Sequence, residues 1–222
     1  MNKEHEWEKE FTKKSLFDRL NLSIEEISEL GIAWLIMSAV ILYLTGFNLD
    51  LIFFYLIVFG ISFFTHELSH KFTAIKFGAR ANFKISKDGL IFMLVSLIIG
   101  FPILTVGAVY WWGEAAYSTR LRGRVSAAGP ISNIILAGFF YVIIGISFLI
   151  FPQLPDVGIL LFQAGLIGVW LNTFLGLFNL LPIGMLDGAK VLAWDGRIWA
   201  ALVGTFLVIG FFGGGFFMVF LI

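Results

Sequence analysis

The amino-acid sequence predicts an all-α polytopic membrane protein with about five transmembrane helices and a re-entrant or membrane-associated non-helical segment near residues 80–112. The first observation is composition: 59% of the 222 residues are hydrophobic, only 14% are charged, and the mean hydropathy is +0.93. A soluble domain must wet most of its surface and cannot hold so much apolar side chain. The second is a set of apolar runs of roughly the ~20 residues needed to cross a bilayer. They lie near residues 31–47, 51–72, 126–151, 158–181 and 198–222.

Charge and cysteine content exclude several functional classes. Fifteen Lys and Arg balance fifteen Asp and Glu, so the chain has no net positive charge with which to bind nucleic acid. The absence of cysteine excludes disulfides, thiolate metal ligands and a thiol nucleophile. The chain has only three histidines, which makes their placement informative.

Residues 1–30 are predicted to form a cytoplasmic amphipathic N-terminal segment. They carry eight acidic and five basic residues around scattered apolar positions, without the uninterrupted apolar core of a cleavable signal peptide. Ser23 followed by Glu26 fits a capping box, which predicts that a helix begins here. We therefore expect a short surface helix that leads into the membrane.

The apolar stretch 89–112 needs a separate argument, because Gly100 and Pro102 interrupt it. If this stretch does not cross the membrane, all basic segments fall on one side, which the positive-inside rule assigns to the cytoplasm. We therefore predict a re-entrant hairpin, or strands and a loop held at membrane depth against protein. The N-terminus is then cytoplasmic and the C-terminus lies outside. The basic segments are residues 1–19, 71–87, 120–124 and 190–197.

Two of the three histidines stand near the end of the second span, in the sequence HELSH at residues 66–70. Positions i and i+4 share one face of a helix, so His66 and His70 can bind one Zn²⁺ together. Glu67 then lies where it can take a proton from bound water. The pattern also arises by chance in soluble helices, where the side chains merely face solvent. Ionisable groups at membrane depth are costly and usually functional, which favours the metal site here.

A catalytic zinc needs a third protein ligand and an open position for water. Glu114 is the only Glu after His70 and would serve a site with a Glu ligand. Asp187 follows the fourth span, just after Pro182 and Gly184, which should break the helix and turn the chain back toward the bundle. An alternative is that Asp187 only caps a following helix.

The predicted topology bears on the choice of the third ligand. If residues 89–112 do not cross, the second and fourth spans run in the same direction, and His66, His70 and Asp187 all lie toward the cytoplasm. If they do cross, the histidines and Asp187 lie on opposite faces. The charge distribution and the assignment of Asp187 as a ligand therefore agree, and Glu114 is the second choice.

Three separated motifs resemble those of the site-2 protease family of intramembrane zinc metalloproteases. The resemblance implies that His66, His70 and Asp187 are zinc ligands and that Glu67 is the catalytic base. It also implies a single transmembrane metalloprotease domain over residues 31–222. The motifs are HELSH at 66–70, AGPISN at 128–133 and FNLLPIGMLDG at 178–188, and together they cover roughly residues 50–190, the core of that domain.

The resemblance further suggests substrate-binding roles for Asn179 and Asn133, as hydrogen-bond partners of the substrate backbone or of the developing oxyanion. Each residue has a simpler alternative. Asn133 can form a hydrogen bond between helices beside the small residues 127–129. Asn179 can satisfy carbonyl groups that the helix break sets free. The sequence leaves both alternatives open.

The sequence therefore predicts a multi-pass protein of the cell membrane, an intramembrane zinc endopeptidase with one Zn²⁺ per chain and its active site toward the cytoplasm. It is expected to hydrolyse a peptide bond in or next to a substrate's transmembrane helix, as in regulated intramembrane proteolysis. Its expected partners are a transmembrane protein substrate and the lipid bilayer; the oligomeric state is not predicted. The alternatives are a metal-binding membrane transporter or sensor and an inactive relative that acts as a binding partner. Glu67 argues against a transporter, which gains little from a carboxylate that does not ligate the metal.

Overall fold

The computed structural model describes residues 22–44, 52–99, 106–113 and 118–212. Within these residues the chain forms helices and one two-stranded sheet. In chain order the elements are α1 (Ile24–Leu44), α2 (Ile52–Lys76), β1 (Arg80–Ile85), α3 (Lys87–Ile99), β2 (Gly107–Trp112), α4 (Thr119–Ile150), α5 (Pro155–Asn179), α6 (Asp187–Trp194) and α7 (Gly196–Phe212).

The described helices include three that are long and apolar enough to cross a membrane: α1 over Ile24–Tyr43, α4 and α5. The helix α2 has 25 residues, which is about 37 Å at 1.5 Å per residue. The helix α7 is a shorter apolar helix of 17 residues, and the rest of the last apolar run, residues 213–222, lies outside the described part of the chain. The protein is therefore a mostly helical membrane protein, as predicted, but the number of five crossings is not confirmed.

The prediction of a non-helical segment over 80–112 is confirmed at its two ends and wrong in its middle. The ends are the strands β1 and β2, but Lys87–Ile99 forms the helix α3. Ser86 begins this helix, because its hydroxyl accepts a hydrogen bond from the backbone N–H of Gly89 at 3.1 Å. With 13 residues, or about 20 Å of length, α3 is too short to cross a bilayer.

The two strands pair antiparallel, from Arg80 opposite Trp112 to Ile85 opposite Gly107. Gly78 ends α2 just before them, with a positive φ of 84° that favours glycine. Because Ile85 and Gly107 are direct partners, the chain leaves the sheet through α3 and returns to the same place. The whole excursion therefore starts and ends beside the C-terminal end of α2.

The helix α2 packs against both α4 and α5, which are each other's main neighbours. Glycines allow α4 and α5 to approach closely. A Cβ atom at Gly165 would lie 2.5 Å from the side chain of Ile144, and one at Gly168 would overlap the ring of Phe140. Small residues at such crossings are typical of helix packing in membranes. The helix α2 packs against this closely spaced pair of helices.

The predicted boundary at residue 30 falls inside α1, and residues 1–21 lie outside the described part of the chain. Half of the predicted capping box is present, because the hydroxyl of Ser23 accepts a hydrogen bond from the N–H of Glu26 at 3.1 Å. The carboxylate of Glu26 does not complete the box. It contacts Lys71 and the backbone of Phe83 instead.

Candidate metal centre

His66 and His70 lie one turn apart on the inner face of α2, as their spacing predicts. Their Nε2 atoms are 3.1 Å apart, and both residues are buried. His66 and His70 lie in the C-terminal half of α2, after its apolar run, where this helix packs against α4. Two imidazole nitrogens therefore point at one place inside the protein.

Asp187 completes the cluster from a distant part of the sequence. The helix α5 ends at Asn179, and α6 begins at Asp187 after a stretch of turns. The Oδ2 atom of Asp187 lies 3.4 Å from Nε2 of His66 and 3.0 Å from Nε2 of His70. One ligand atom from each of the three residues falls within 4.8 Å of the others.

The alternative role of Asp187 as a helix cap is wrong. Leu186 occupies the position before α6 and makes no side-chain cap, while Asp187 is the first residue of the helix. Burial raises the pKa of the Asp187 carboxyl, but the imidazoles of His70 and His66 outweigh this effect and hold the pKa below its ordinary value. Glu114, the second choice as a ligand, lies outside the described residues.

Hydrogen bonds fix which nitrogen of each imidazole faces the cluster. Nδ1 of His70 donates to the backbone carbonyl of Val125 at 2.7 Å. Nδ1 of His66 lies 2.6 Å from Oδ1 of Asn133 and donates to it. Each Nε2 atom therefore faces Asp187 and, when it carries no proton, can ligate a metal, which is the arrangement of metal-ligating histidines. Two imidazole nitrogens and one carboxylate oxygen are a donor set that fits Zn²⁺.

The orientation of Asn133 follows from a buried chain of hydrogen bonds. The amide nitrogen of Asn172 donates to the carbonyl of Gly168 at 2.8 Å and to the hydroxyl of Ser62 at 2.9 Å. Its oxygen therefore accepts from the amide nitrogen of Asn133, at 2.9 Å. That leaves the oxygen of Asn133 for His66. A backbone carbonyl, which only accepts, thus sets the orientation of Asn133 and so the contact of His66 through three successive hydrogen bonds.

Asn133 is fully buried, and it forms the hydrogen bond between helices that the sequence offered as its simpler alternative. The substrate-binding role suggested for it stays a prediction. Sequence reasoning missed Asn172 and Ser62. Each is an isolated polar residue on an apolar helix, and such a pattern does not predict which residue of another helix it will contact. Ser62 precedes His66 by four residues, and that shared face was the one available signal.

Glu67 lies beside the cluster and is 9% exposed. The backbone N–H of Val109 on β2 lies near its carboxylate. One carboxylate oxygen, Oε2, is buried and has no hydrogen-bond partner within the described residues. Buried carboxylate oxygens are rarely left without a partner. An unpartnered oxygen next to three converging ligands therefore indicates a place for water or substrate.

A cavity of about 60 Å³ joins these groups. Its lining includes the three ligands, Glu67 and residues of β2, namely Gly107, Ala108, Val109 and Trp111. Asn179 lines the same cavity, but its amide nitrogen donates to the carbonyl of Leu175 at 3.0 Å. Leu175 lies inside α5, so this contact does not reach a carbonyl that the helix break sets free. Both the simpler alternative for Asn179 and its substrate-binding role stay predictions.

Two glycines that sequence reasoning did not assign to the site are required by its geometry. A Cβ atom at Gly129 would lie 2.6 Å from Nε2 of His66 and closer still to Nε2 of His70. A Cβ atom at Gly188 would lie 2.5 Å from the carbonyl oxygen of Leu181. Both glycines belong to the motifs quoted above, which was the available signal. Gly129 leaves the space where a metal binds, and Gly188 lets Asp187 approach from behind the end of α5.

Lys190 lies at the rim of the cavity. Its ammonium group donates to the carbonyl of Met185 at 3.0 Å and lies 3.9 Å from Oδ1 of Asp187. At the opposite end of this turn, the indole N–H of Trp199 donates to the carbonyl of Leu180 at 2.8 Å. These contacts hold the segment between α5 and α6 and so fix the position of Asp187.

Comparison with known proteins finds one matching family and two similar proteins. The sequence profile of peptidase family M50 matches residues 54–164, half of the chain. A protein of Methanocaldococcus jannaschii, whose name gives zinc metalloprotease as an inferred activity, is 36% identical over 188 residues, which are 84% of this chain and 92% of that protein. A Bacillus subtilis protein with the same description is 34% identical over 144 residues, 60% of this chain and 64% of its own length. No solved structure matches the chain significantly.

Proposed function

This chain belongs to peptidase family M50 and is a zinc metalloprotease of the membrane, and on that premise we propose that its substrates are cleaved within the bilayer. The reaction is the hydrolysis of a peptide bond in or next to a transmembrane helix of another protein. The observation that carries the proposal is the convergence of His66, His70 and Asp187 beside an unpartnered oxygen of Glu67. A transmembrane helix is accessible to such a site because the site is itself built between apolar helices.

The three ligands would hold one Zn²⁺ per chain and leave a fourth position open. Bound zinc polarises a carbonyl group and lowers the pKa of a bound water from 15.7 to about 7. His66 and His70 contribute neutral imidazoles, because each donates its other N–H to a neighbouring oxygen. Asp187 contributes a negative charge. The set matches the three-ligand sites of zinc hydrolases, which keep one position for water.

Glu67 acts as the general base in this proposal. Its Oε2 atom is buried beside the ligands and takes the proton of the attacking water, then passes it to the leaving amine. The backbone N–H of Val109 lies near this carboxylate and can donate to its other oxygen. A carboxylate next to the metal that is not itself a ligand has this use in hydrolysis and none in ion transport. That difference favours the protease over a metal transporter or sensor.

The substrate must be extended before it can be cut, because the carbonyl groups of a helix are bonded internally. The strand β2 lines the cavity along the edge that does not face β1, and an exposed edge can bind an extended peptide by adding a strand. The cavity of about 60 Å³ holds water and an ion but no peptide. Substrate entry therefore requires β2 to separate from the turn that carries Asp187.

The membrane orientation is part of the same proposal. The N-terminus and the active site face the cytoplasm, and the C-terminus lies outside. The return of the chain from α3 to the partner of β1 supports this orientation, because it keeps residues 89–112 from crossing. The basic segments then all lie on the cytoplasmic side. Water reaches the metal from that face.

Replacement of the base tests the proposal. The protein would be reconstituted in proteoliposomes with fluorogenic single-span peptides that carry helix-destabilising Gly or Pro residues. Wild type should cleave them, and Glu67→Gln should keep its zinc while the rate falls roughly 10²-fold or more. Glu25→Gln, on the exposed start of α1, is the matched control. Cleavage by Glu67→Gln at the wild-type rate would show that Glu67 is not the base. A chain that binds zinc without any cleavage would instead support an inactive relative that acts as a binding partner.

A further inference from the structure

Two glutamates of α1 contact the backbone of β1 along its outer edge. The N–H of Phe83 donates to Oε1 of Glu26 at 2.9 Å, and the N–H of Ile85 donates to Oε2 of Glu29 at 2.7 Å. Phe83 and Ile85 are two residues apart on the strand, so their amides point in the same direction. The opposite edge of β1 is paired with β2. The two carboxylates therefore satisfy the donors that a further strand would otherwise bind.

Glu26 makes a second contact that reaches the metal ligands. Its Oε2 atom binds the ammonium group of Lys71 at 2.5 Å, and the side chains of both residues are only 2% exposed. Lys71 directly follows His70 in α2. One buried carboxylate thus joins α1, β1 and the helix that carries two zinc ligands. Removal of one partner from a buried ion pair strongly destabilises the folded protein. The pair therefore holds the three elements in a single arrangement.

The strands β1 and β2 form an antiparallel pair, which we call the β1–β2 hairpin. Its inner strand, β2, faces the active site. Val109 and its neighbours on β2 line the cavity together with Glu67. The position of β2 is set through β1, with which it pairs along six residues. The outer edge of the hairpin is closed by glutamates, and the inner edge is left for other contacts. Among the described strands, only β2 keeps an edge that lines the cavity.

We propose that Glu26 and Glu29 are positioning residues for substrate. They close the outer edge of the β1–β2 hairpin and hold β2 at a fixed distance from His66 and His70 of α2, so that an incoming extended peptide pairs with β2 and not with β1. The proposal rests on the proposed function, because it assigns β2 as the strand that binds substrate. It requires that the hairpin be ordered before substrate arrives. Without these contacts, substrate binding would have to order the hairpin, and the affinity for substrate would be lower.

Glu29 is the better residue to test, because it is only partly buried and makes no ion pair with Lys71. In Glu29→Ala the amide of Ile85 loses its acceptor. We expect the KM for the single-span peptides to rise about tenfold, since the lost hydrogen bond has a charged acceptor, with kcat changed less than about twofold and zinc content unchanged. Glu29→Gln keeps an oxygen for Ile85 and should restore the KM. Glu25→Ala, exposed on the same helix, should have no effect.

Hydrogen–deuterium exchange of the purified protein in detergent provides a readout that does not depend on activity. The amide of Ile85 should exchange faster in Glu29→Ala than in wild type and at the wild-type rate in Glu29→Gln. Unchanged exchange and an unchanged KM in Glu29→Ala would overturn the proposal, and so would a loss that Glu29→Gln fails to restore. If wild type cleaves no peptide, the proposed function fails, and the exchange at Ile85 alone decides whether Glu29 holds the strand.

Discussion

The Nδ1 atom of His66 lies 2.6 Å from Oδ1 of Asn133, and this contact connects a proposed zinc ligand of α2 to α4. The orientation of Asn133 is itself set by Asn172, whose amide nitrogen donates to the carbonyl of Gly168. The ligand geometry is thus determined by buried polar groups on three helices. Such supporting hydrogen bonds orient a metal ligand and raise its basicity.

Asn133→Ala should therefore weaken zinc binding. Loss of the partner that orients a ligating histidine typically lowers metal affinity 10–100-fold, and we expect a loss of roughly that size. The measurement is competition for zinc against a chelator of known affinity. If Asn133 only binds substrate, the variant will keep the wild-type zinc affinity and show a raised KM instead.

Gly129→Ala should remove zinc from a folded protein. The added Cβ would lie 2.6 Å from Nε2 of His66 and would occupy the space where the ligand atoms converge. The expected result is less than about one tenth of the wild-type zinc, with helical content unchanged by circular dichroism. Gly138→Ala on the same helix is the control, because a Cβ there meets nothing within 4 Å. Normal zinc content in Gly129→Ala would mean that α4 does not approach the ligands as described.

Gly188→Ala should displace Asp187 from the histidines. Its Cβ would press on the carbonyl oxygens of Leu180 and Leu181, which directly follow α5. We expect zinc affinity to fall at least about tenfold, as for the loss of a supporting contact. Gly184→Ala, in the same turn and with open space around its Cβ, should bind zinc normally. Equal affinities in the two variants would contradict the placement of Asp187.

Removal of zinc should lower the melting temperature. A ligand that binds only the native state stabilises it by about 2.7 kcal/mol when its concentration is 100 times the Kd, and this site joins α2 to α6. The test is thermal unfolding in detergent before and after treatment with a chelator, and again after zinc is restored. His66→Ala should not respond to either treatment. A wild-type protein with the same melting temperature in all three states would show that the metal does not link these helices.

Sequence reasoning brought the three residues of the cluster together because each carried a local signal. His66 and His70 have the i, i+4 spacing of one helix face, and the structure places them there. Asp187 follows Pro182 and Gly184, whose break in the helix turns the chain back, and the carboxylate does meet the histidines. The helical part of 80–112 was missed because an apolar run beside Gly100 and Pro102 resembles a broken segment, although Ser86 was a usable helix-start signal.

The supporting contacts could not be predicted in the same way. Glu26 and Lys71 are 45 residues apart, and Asn172 and Ser62 are 110 apart. The sequence pattern of one helix or strand does not predict which polar group of a distant element its polar residues will contact. The sequence places Glu26 in a surface segment, whereas tertiary packing buries it against α2. Long-range polar pairs of this kind depend on how the helices are arranged and not on the order of residues within any one of them.

The measurement that tests the central claim most directly is the zinc content per chain of detergent-purified protein, determined by elemental analysis for wild type, His66→Ala and Asp187→Ala. The three proteins must be compared at equal monodispersity. The account predicts about one zinc in wild type and a clear loss in both variants, because the ligands from α2 and α6 form one site. Full and equally tight zinc in Asp187→Ala, with a loss in His66→Ala, would contradict it and place the third ligand elsewhere in the chain.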